Sequence, residues 1–292
     1  MSKLVEGIPN FSVSREQDPD VFQGLVDMSN SIPGCTVLDV QSDGDHNRCV
    51  FTMVGSPAAI EEAAFQLTRQ ATATIDMTRH QGQHPRMGAT DVIPFVPCMD
   101  VSLEECIAMS KVPSFLYEDS ASAPHRTNLA ACRKGQFEGM PEKLLQPEWA
   151  PDFGERKIHP TAGITAIGAR MPLIAYNINL DTSDLEVANK IARAIRASGG
   201  GFKYCKAIGV MLNDRNIAQV SMNLVNYEGT PIYYVFEMVR ALADRYGARI
   251  IGSELVGLTP GKALLDCAEY YLKLENFDAR KQVMEYHIID LA

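Results

Sequence analysis

The chain has 292 residues, of which 46% are hydrophobic and 22% charged, a balance typical of a globular protein with a large core. Its net charge of −9 disfavours nucleic acid as the main partner, although a local basic pocket is compatible with an acidic chain. No stretch approaches the roughly 20 apolar residues of a membrane helix, and the N-terminal residues lack the apolar segment of a secretory signal.

Seven cysteines are present, an odd number without a Cys-x-x-Cys pair. This usage predicts reduced thiols in a cytoplasmic protein and disfavours both a disulfide framework and a zinc site. We therefore expect a cytoplasmic location and no bound metal.

The first half of the chain predicts the element order β-α-β-β-α-β. Asp18-Pro19 is typical of a helix start because proline fits the first helical turn, and Ser56-Pro57 opens a longer helix with an apolar face. The predicted strands are 3–8, 36–40, 48–54 and 92–96, and the predicted helices are 19–31 and 57–75. This order is that of a ferredoxin-like unit.

The second half predicts the same order again. Its predicted strands are 173–180, 203–211, 218–224 and 249–255, and its helices are 184–197 and 231–246. The glycines at 199–201 follow a helix rather than precede one, so they favour helix termination over a phosphate-binding loop. We expect an α/β (α+β) protein of two ferredoxin-like subdomains, residues 1–171 and 172–292.

In the region between the two β-α-β-β-α-β units, the sequence predicts shorter elements. Ser102 to Glu105 reads as a capping box that opens a helix to about Lys111. A strand at 113–117 and short helices at 128–134 and 141–145 follow, and residues 149–163 are too rich in proline and glycine for regular structure. The tail, 260–292, is predicted to be helical, with an apolar stripe that packs on the core or on a partner subunit.

The segment 75–97 concentrates titratable side chains on a loop, where function tends to lie. These side chains are Arg79, His80, His84, Arg86 and Asp91. The spacing of the two histidines suits zinc only on a helix, and Gly82 and Pro85 oppose a helix there. The residue after the first histidine is Gln81, where the metalloprotease pattern needs a glutamate, so metal binding is disfavoured.

On residue chemistry alone, a structural role and a catalytic role for His84 are equally compatible with the loop. Two neighbours favour general acid–base catalysis: Arg86 is close enough to hold an anionic substrate group, and Asp91 is placed to orient the imidazole. Arg156, Lys157 and His159 form a second basic group. They fit a solvated loop and a pocket for a carboxylate equally well.

Five segments together resemble the glutamate formimidoyltransferase (formiminotransferase) family, and the likeness runs from about residue 3 to residue 265. These segments are IPNFS (8–12), DHNR (45–48), IDMTRHQGQHPRMGATDVIPFVP (75–97), EKLLQPEWAPDFG (142–154) and IGSELVGL (251–258). The histidine loop and the tryptophan segment are the most specific of them.

The resemblance implies transfer of the formimino group from N-formimino-L-glutamate to tetrahydrofolate, the co-substrate, in histidine degradation. It implies two α/β subdomains with a folate tunnel between them, a homodimer, and catalysis by the histidine before Pro-Arg, which is His84. The folate-binding stretch falls on Gly154, Glu155, Arg156, Lys157, Ile158, His159, Pro160, Thr161, Ala162 and Gly163.

The chain departs from the family pattern at Val13, Gln81 and Gln83, and its helix after Ser102 is shorter. Because it ends at Ala292, we expect a form without the fused cyclodeaminase domain, whose reaction a separate protein would perform. Two alternatives stay open. One is a related folate-dependent transferase that uses formyl-glutamate or formimino-glycine, and the other is a non-catalytic folate-binding module.

Overall fold

The structure, a computed structural model, describes residues 3–109, 115–212 and 215–289. The chain forms two compact units, Met1–Met171 and Pro172–Ala292. Each unit has its own β-sheet and its own hydrophobic core. Within the described ranges, no helix combines the length and the apolar character that crossing a membrane requires.

The first unit contains a mixed sheet in which β1 and β2 share one position between β4 and β5. Its elements are β1 (Leu4–Gly7), β2 (Asn10–Phe11), α1 (Pro19–Ser31), β3 (Cys35–Asp43), β4 (Arg48–Gly55), α2 (Pro57–Thr74), β5 (Thr90–Met99), α3 (Leu103–Met109), β6 (Phe115–Glu118), α4 (Leu129–Arg133), α5 (Gln136–Lys143) and β7 (Ala166–Ala169). The antiparallel order β3-β4-β1-β5 is the ferredoxin-like arrangement, so the prediction for this half is confirmed.

Two N-terminal caps fix where the helices of this half begin. The Asp18 side chain accepts a hydrogen bond from Val21 N at 3.1 Å, and the Ser56 hydroxyl accepts one from Ala59 N at 3.3 Å. Both helices pack on one face of the sheet, where the alternating strand residues are fully buried against them. The opposite face of β1 and β4 carries polar residues, among them Glu6 and Arg48.

The second unit contains a four-stranded antiparallel sheet with the order β11-β8-β10-β9. Its elements are β8 (Ile174–Leu180), α6 (Leu185–Ile195), β9 (Cys205–Leu212), β10 (Ile217–Leu224), α7 (Ile232–Arg245), β11 (Ile250–Val256), α8 (Gly261–Leu272), α9 (Ala279–Gln282) and α10 (Met284–Ile289). The second ferredoxin-like unit is therefore confirmed. The helix predicted over 184–197 ends at Ile195, because Arg196 is extended, so the prediction that the glycines terminate it is wrong. Gly200, with φ 86°, ends the short 3-10 turn Ala197–Gly199 that follows.

The region between the passes differs from expectation in three places. The predicted helix at 141–145 begins five residues earlier, at Gln136, and contains Pro141. The strand predicted at 113–117 continues from Phe115 to Glu118 in the structure, and residues 113–114 lie outside the described residues. β7 was not predicted at all, and it joins β5 and β6 in parallel.

Other predictions about connections have mixed outcomes. The capping box is confirmed, because Ser102 N donates to Glu105 Oε2 at 3.0 Å and Glu105 N donates to Ser102 Oγ at 3.2 Å. The end of that helix near Lys111 and the turn at 213–214 lie outside the described residues. In the tail, α8 ends at Leu272, the next residue Lys273 has a left-handed conformation, and much of the apolar stripe of the helix is exposed.

Candidate active site

The histidine loop, residues 75–89, connects α2 to β5 through turns and bends, as predicted. Its backbone is held by distant segments of the first unit. Met77 N donates to Thr161 O at 2.7 Å, and Gln83 N donates to Asp45 O at 3.1 Å. An irregular loop with such anchors can hold side chains in fixed positions, which a catalytic group requires.

The contacts of the half-buried His84 imidazole assign its proton to one ring nitrogen. Its Nδ1 lies 2.7 Å from the carbonyl oxygen of Pro85, and because a carbonyl only accepts, the proton sits on Nδ1 and the lone pair on Nε2. One guanidinium nitrogen of Arg48 lies 2.8 Å from Nε2 and 2.6 Å from Nδ1, and only Nε2 can accept from it. Burial, then the charges of Arg48 and Arg133, lower the pKa of His84 to about 4. The ring is therefore neutral at pH 7, as a proton acceptor must be.

Arg48, the first residue of β4, is held in place by a residue of the neighbouring strand β2. Its Nη2 donates to the Oδ1 of Asn10, a buried residue whose Nδ2 donates to Ile8 O at 2.6 Å. Burial lowers the pKa of Arg48 to about 10, which still leaves the guanidinium charged at neutral pH. A fixed positive charge therefore faces His84.

Asp91 is the extra residue of a β-bulge, because the pairing of β5 with β2 shifts by one residue there. Its side chain is 2% exposed and accepts from Met87 N at 3.0 Å. Its other oxygen pairs with Arg133 and lies 3.7 Å from Arg48. The prediction that Asp91 orients an imidazole is wrong: in the described ranges it bonds to neither histidine of the loop. Its charge opposes the lowering of the His84 pKa by burial and by the two arginines.

His80 and Arg86 brace the loop from inside. His80 Nε2 lies 2.8 Å from Asn47 O, and its Nδ1 accepts from Arg86 Nε at 3.2 Å. Arg86 also donates to Gln136 at 2.9 Å, to both oxygens of Glu138 at 2.7 and 2.9 Å, and to His80 O at 3.3 Å. All five N–H groups of the guanidinium have acceptors. These contacts favour a structural role for Arg86, and the prediction that it holds a substrate anion stays a prediction.

The predicted folate-binding stretch, residues 154–163, divides into an exposed half and an anchored half. Gly154 to Lys157, His159 and Pro160 are exposed. Arg156 donates to Gln146 O at 3.0 Å. His159 and Gly163 exchange backbone hydrogen bonds of 2.9 and 3.0 Å, which close a tight turn. The basic side chains therefore face solvent on a backbone that the turn fixes.

The anchored half contacts the histidine loop directly. Ala89 N donates to Ala162 O at 2.9 Å, and Gly88 and Gly163 form a bridge. Gly163 has φ 71°, and a Cβ there would collide with the Met87 carbonyl oxygen, so only glycine fits without strain. The structure thus brings the two predicted site segments together, and folate binding by the stretch stays a prediction.

Two buried cations support the segment that leads into this stretch. Lys143 Nζ lies 3.8 Å from the ring centre of Trp149 and donates to the carbonyl oxygens of Ala131 and Cys132 at 2.6 and 2.7 Å. Burial lowers the pKa of Lys143 to about 8. Arg126 pairs with Asp152 at 2.6 Å. These contacts hold the chain in place just before residue 154.

Three residues of the site were not predicted: Asn10, Arg48 and Arg133. Asn10 and Arg48 stand in strands whose other residues are mostly apolar, and a polar residue at such a position is a usable signal. Arg133 carries no comparable signal, because the last turn of a short helix commonly ends in a basic residue.

Comparison with known proteins decides the family. The profile of the formiminotransferase domain, N-terminal subdomain, matches residues 4–170, and that of the formiminotransferase domain matches residues 175–292. The chain belongs to the formiminotransferase family. The recognition made from its motifs is therefore confirmed.

Relatives of this formiminotransferase include proteins of one and of two activities. Glutamate formimidoyltransferase of Streptococcus pyogenes serotype M1 is 59% identical, over 99% of this chain and 100% of its own length. Glutamate formimidoyltransferase of Thermoplasma acidophilum is 44% identical over 94% of each chain. Formimidoyltransferase-cyclodeaminase of Gallus gallus is 45% identical over 94% of this chain, which spans 53% of that protein.

Proposed function

We propose that this chain is a glutamate formimidoyltransferase, which transfers the formimino group of N-formimino-L-glutamate to N5 of tetrahydrofolate in histidine degradation. The products are 5-formiminotetrahydrofolate and L-glutamate. The observation that carries the proposal is the 59% identity to a glutamate formimidoyltransferase along the full length of both chains. Tetrahydrofolate enters as a co-substrate.

The reaction exchanges one amine for another at an amidine carbon. N5 of tetrahydrofolate attacks this carbon, and the C=N bond becomes single in a tetrahedral intermediate. A proton leaves N5 and another reaches the nitrogen of the glutamate moiety. The bond from carbon to that nitrogen then breaks, so glutamate departs as an amine and the C=N bond forms again. Proton transfer decides which of the two amines leaves.

His84 is the residue that we assign to this proton transfer. Its Nε2 lone pair and its lowered pKa make it a neutral acceptor for the N5 proton, which it then donates to the departing nitrogen. Arg48 has to yield its place on Nε2 when the substrate arrives. It then remains beside the ring as a charge to which an anionic substrate is attracted.

Residues 154–163 are the proposed folate-binding stretch. Both substrates are carboxylates, and folates commonly carry several. Arg156 and Lys157 are exposed beside a backbone that is bonded to the histidine loop, which suits them to attract a carboxylate tail. In this proposal, residues 1–171 form the catalytic subdomain and residues 172–292 form the second formiminotransferase subdomain.

Assays with three donors test the activity. The purified protein is incubated with tetrahydrofolate and either N-formimino-L-glutamate, N-formyl-L-glutamate or formimino-glycine, and the folate product is identified. We expect transfer from the first donor and at least 10-fold slower transfer from the others. Preference for another donor would reassign the substrate. Tetrahydrofolate binding without transfer from any donor would make the chain a folate-binding module.

The homodimer and the cytoplasmic location also belong to this proposal. Three apolar residues on α8, Leu264, Tyr271 and Leu272, are 46%, 48% and 69% exposed, so this helix offers an apolar surface to a second copy. Sedimentation equilibrium of the purified chain gives its mass in solution. A mass of twice the 32.1 kDa of one chain supports the dimer, and a mass of 32.1 kDa at micromolar concentration contradicts it.

A further inference from the structure

Glu6 is a carboxylate in the middle of a sheet. It lies on β1, between Val54 of β4 and Val96 of β5. Its chain neighbours face the helices: Val5 is fully buried in the core, and a Cβ on Gly7 would meet a side-chain carbon of α2. Because side chains alternate along a strand, Glu6 projects from the opposite face of the sheet.

Among the described residues, this carboxylate lacks the partners that its position demands. In the described part of the chain, no hydrogen bond or ion pair to the Glu6 side chain is formed. The side chain is half-buried, and burial raises the pKa of Glu6, while the charge of Arg170 opposes this rise. A half-buried acid without protein donors has acceptor oxygens free for a ligand.

Glu6 stands on the same face of the sheet as the candidate active site. Glu6 pairs with Val54, and Asn10 pairs with Val50, four residues along β4. An even separation keeps both side chains on one face, and four residues of strand span about 13 Å. Asn10 binds Arg48, which contacts His84. The carboxylate and the imidazole therefore lie at two ends of one sheet surface.

The residues between these two ends are strand residues of moderate size. On β4 they are Val50, Thr52 and Val54, all half-buried. A surface of this kind suits the face of a flat heterocycle, with the polar groups at its ends deciding the orientation.

We propose that Glu6 binds the pyrimidine edge of the tetrahydrofolate pterin ring. This inference rests on the proposed function. The N3–H and the 2-amino group of that edge are two parallel donors, and a carboxylate offers two acceptor oxygens to match them. N5 belongs to the other ring of the pterin. Anchoring the pyrimidine edge at Glu6 therefore directs N5 toward His84.

A double-mutant cycle, with one change in the protein and one in the ligand, tests the contact between Glu6 and the 2-amino group. Binding of tetrahydrofolate and of its 2-desamino analogue is measured by calorimetry under reducing conditions, for the unaltered protein and for Glu6→Gln. The matched control is Glu61→Gln, the same change at an exposed position of α2. Loss of a charged hydrogen bond predicts about 10- to 100-fold weaker binding of tetrahydrofolate to Glu6→Gln. The affinity of the control for tetrahydrofolate should be unchanged.

The combined change separates a specific contact from a general disturbance. The unaltered protein should bind the desamino analogue about 10-fold more weakly, whereas Glu6→Gln should hardly distinguish the two ligands. If the desamino analogue bound more weakly than tetrahydrofolate by the same factor in both proteins, the proposal would be overturned. Equal affinity of the unaltered protein for the two ligands would also overturn it, and this result needs no variant and therefore stands if Glu6→Gln does not fold.

Kinetics distinguish this inference from the proposed function. For Glu6→Gln, the KM for tetrahydrofolate should rise about 10-fold or more while the KM for N-formimino-L-glutamate stays unchanged. If the unaltered protein performs the transfer and Glu6→Gln has an unchanged KM for tetrahydrofolate, the role of Glu6 is refuted and the activity stands. If the unaltered protein does not bind tetrahydrofolate, both are refuted.

Discussion

The buried carboxylate of Asp91 offers the sharpest test of the electrostatic arrangement around His84. Asp91→Asn keeps the shape of the side chain and an oxygen that can accept from Met87 N. It removes the negative charge that faces Arg48 and Arg133. Two positive charges then remain close together without their partner.

The expected loss of stability follows from burial. The side chains of Asp91, Arg48 and Arg133 are 2%, 16% and 14% exposed, so water screens this group poorly. Removing one partner from such an ion pair costs about 3–5 kcal/mol. With a urea dependence of about 2–3 kcal/mol per molar for a unit of this size, the unfolding midpoint should fall by about 1–2.5 M.

Trp149 provides the assay, because it is the single tryptophan of the chain and lies in the first unit. Its fluorescence during urea titration reports the unfolding of that unit. Asp27→Asn, the same change at an exposed position of α1, is the matched control and should leave the midpoint unchanged. A midpoint for Asp91→Asn equal to that of the control would refute the idea that Asp91 holds the two arginines.

Three further predictions address the loop and the stretch that it contacts. Protonation of His84 removes the base, so kcat/KM should fall only at a pH below the usual imidazole pKa of about 6.5. Arg48→Met removes a positive charge beside the ring, so it should raise the pKa of His84 and move this acid limb of the kcat/KM profile to higher pH. Movement of the limb to lower pH would contradict the assignment. Gly163→Ala should cost at least about 1–2 kcal/mol in urea titration, because its φ of 71° disfavours any side chain; an unchanged midpoint would show that the turn relaxes freely. Arg86→Met should lower stability but leave the KM of both substrates unchanged, since its donors serve the loop and Glu138; a 10-fold rise in either KM would show that it is a substrate ligand.

The element order could be predicted from local patterns, and one element shows where such patterns fail. Both β-α-β-β-α-β passes follow from apolar alternation, from caps such as Ser56, and from turn residues. β7 has the sequence Ala-Ile-Gly-Ala, whose small residues have little strand preference of their own. It is a strand because β5 and β6 lie on either side of it, and that pairing is set by tertiary structure.

Within the site, proximity along the chain was a poor guide to contact. Arg86 and Asp91 stand close to His84 in sequence, yet they bond to other residues. Arg48 stands 36 residues before His84 and reaches its ring. That contact depends on strand register and on the bulge at Asp91, neither of which a single sequence specifies.

Turnover of His84→Ala tests the central claim most directly. The variant is assayed for transfer from N-formimino-L-glutamate and for tetrahydrofolate binding, beside His287→Ala, an exposed histidine of the second unit. General acid–base catalysis predicts a fall in kcat of about 10²–10⁴-fold with tetrahydrofolate affinity kept, and no change in the control. Unchanged kcat in His84→Ala would contradict the account.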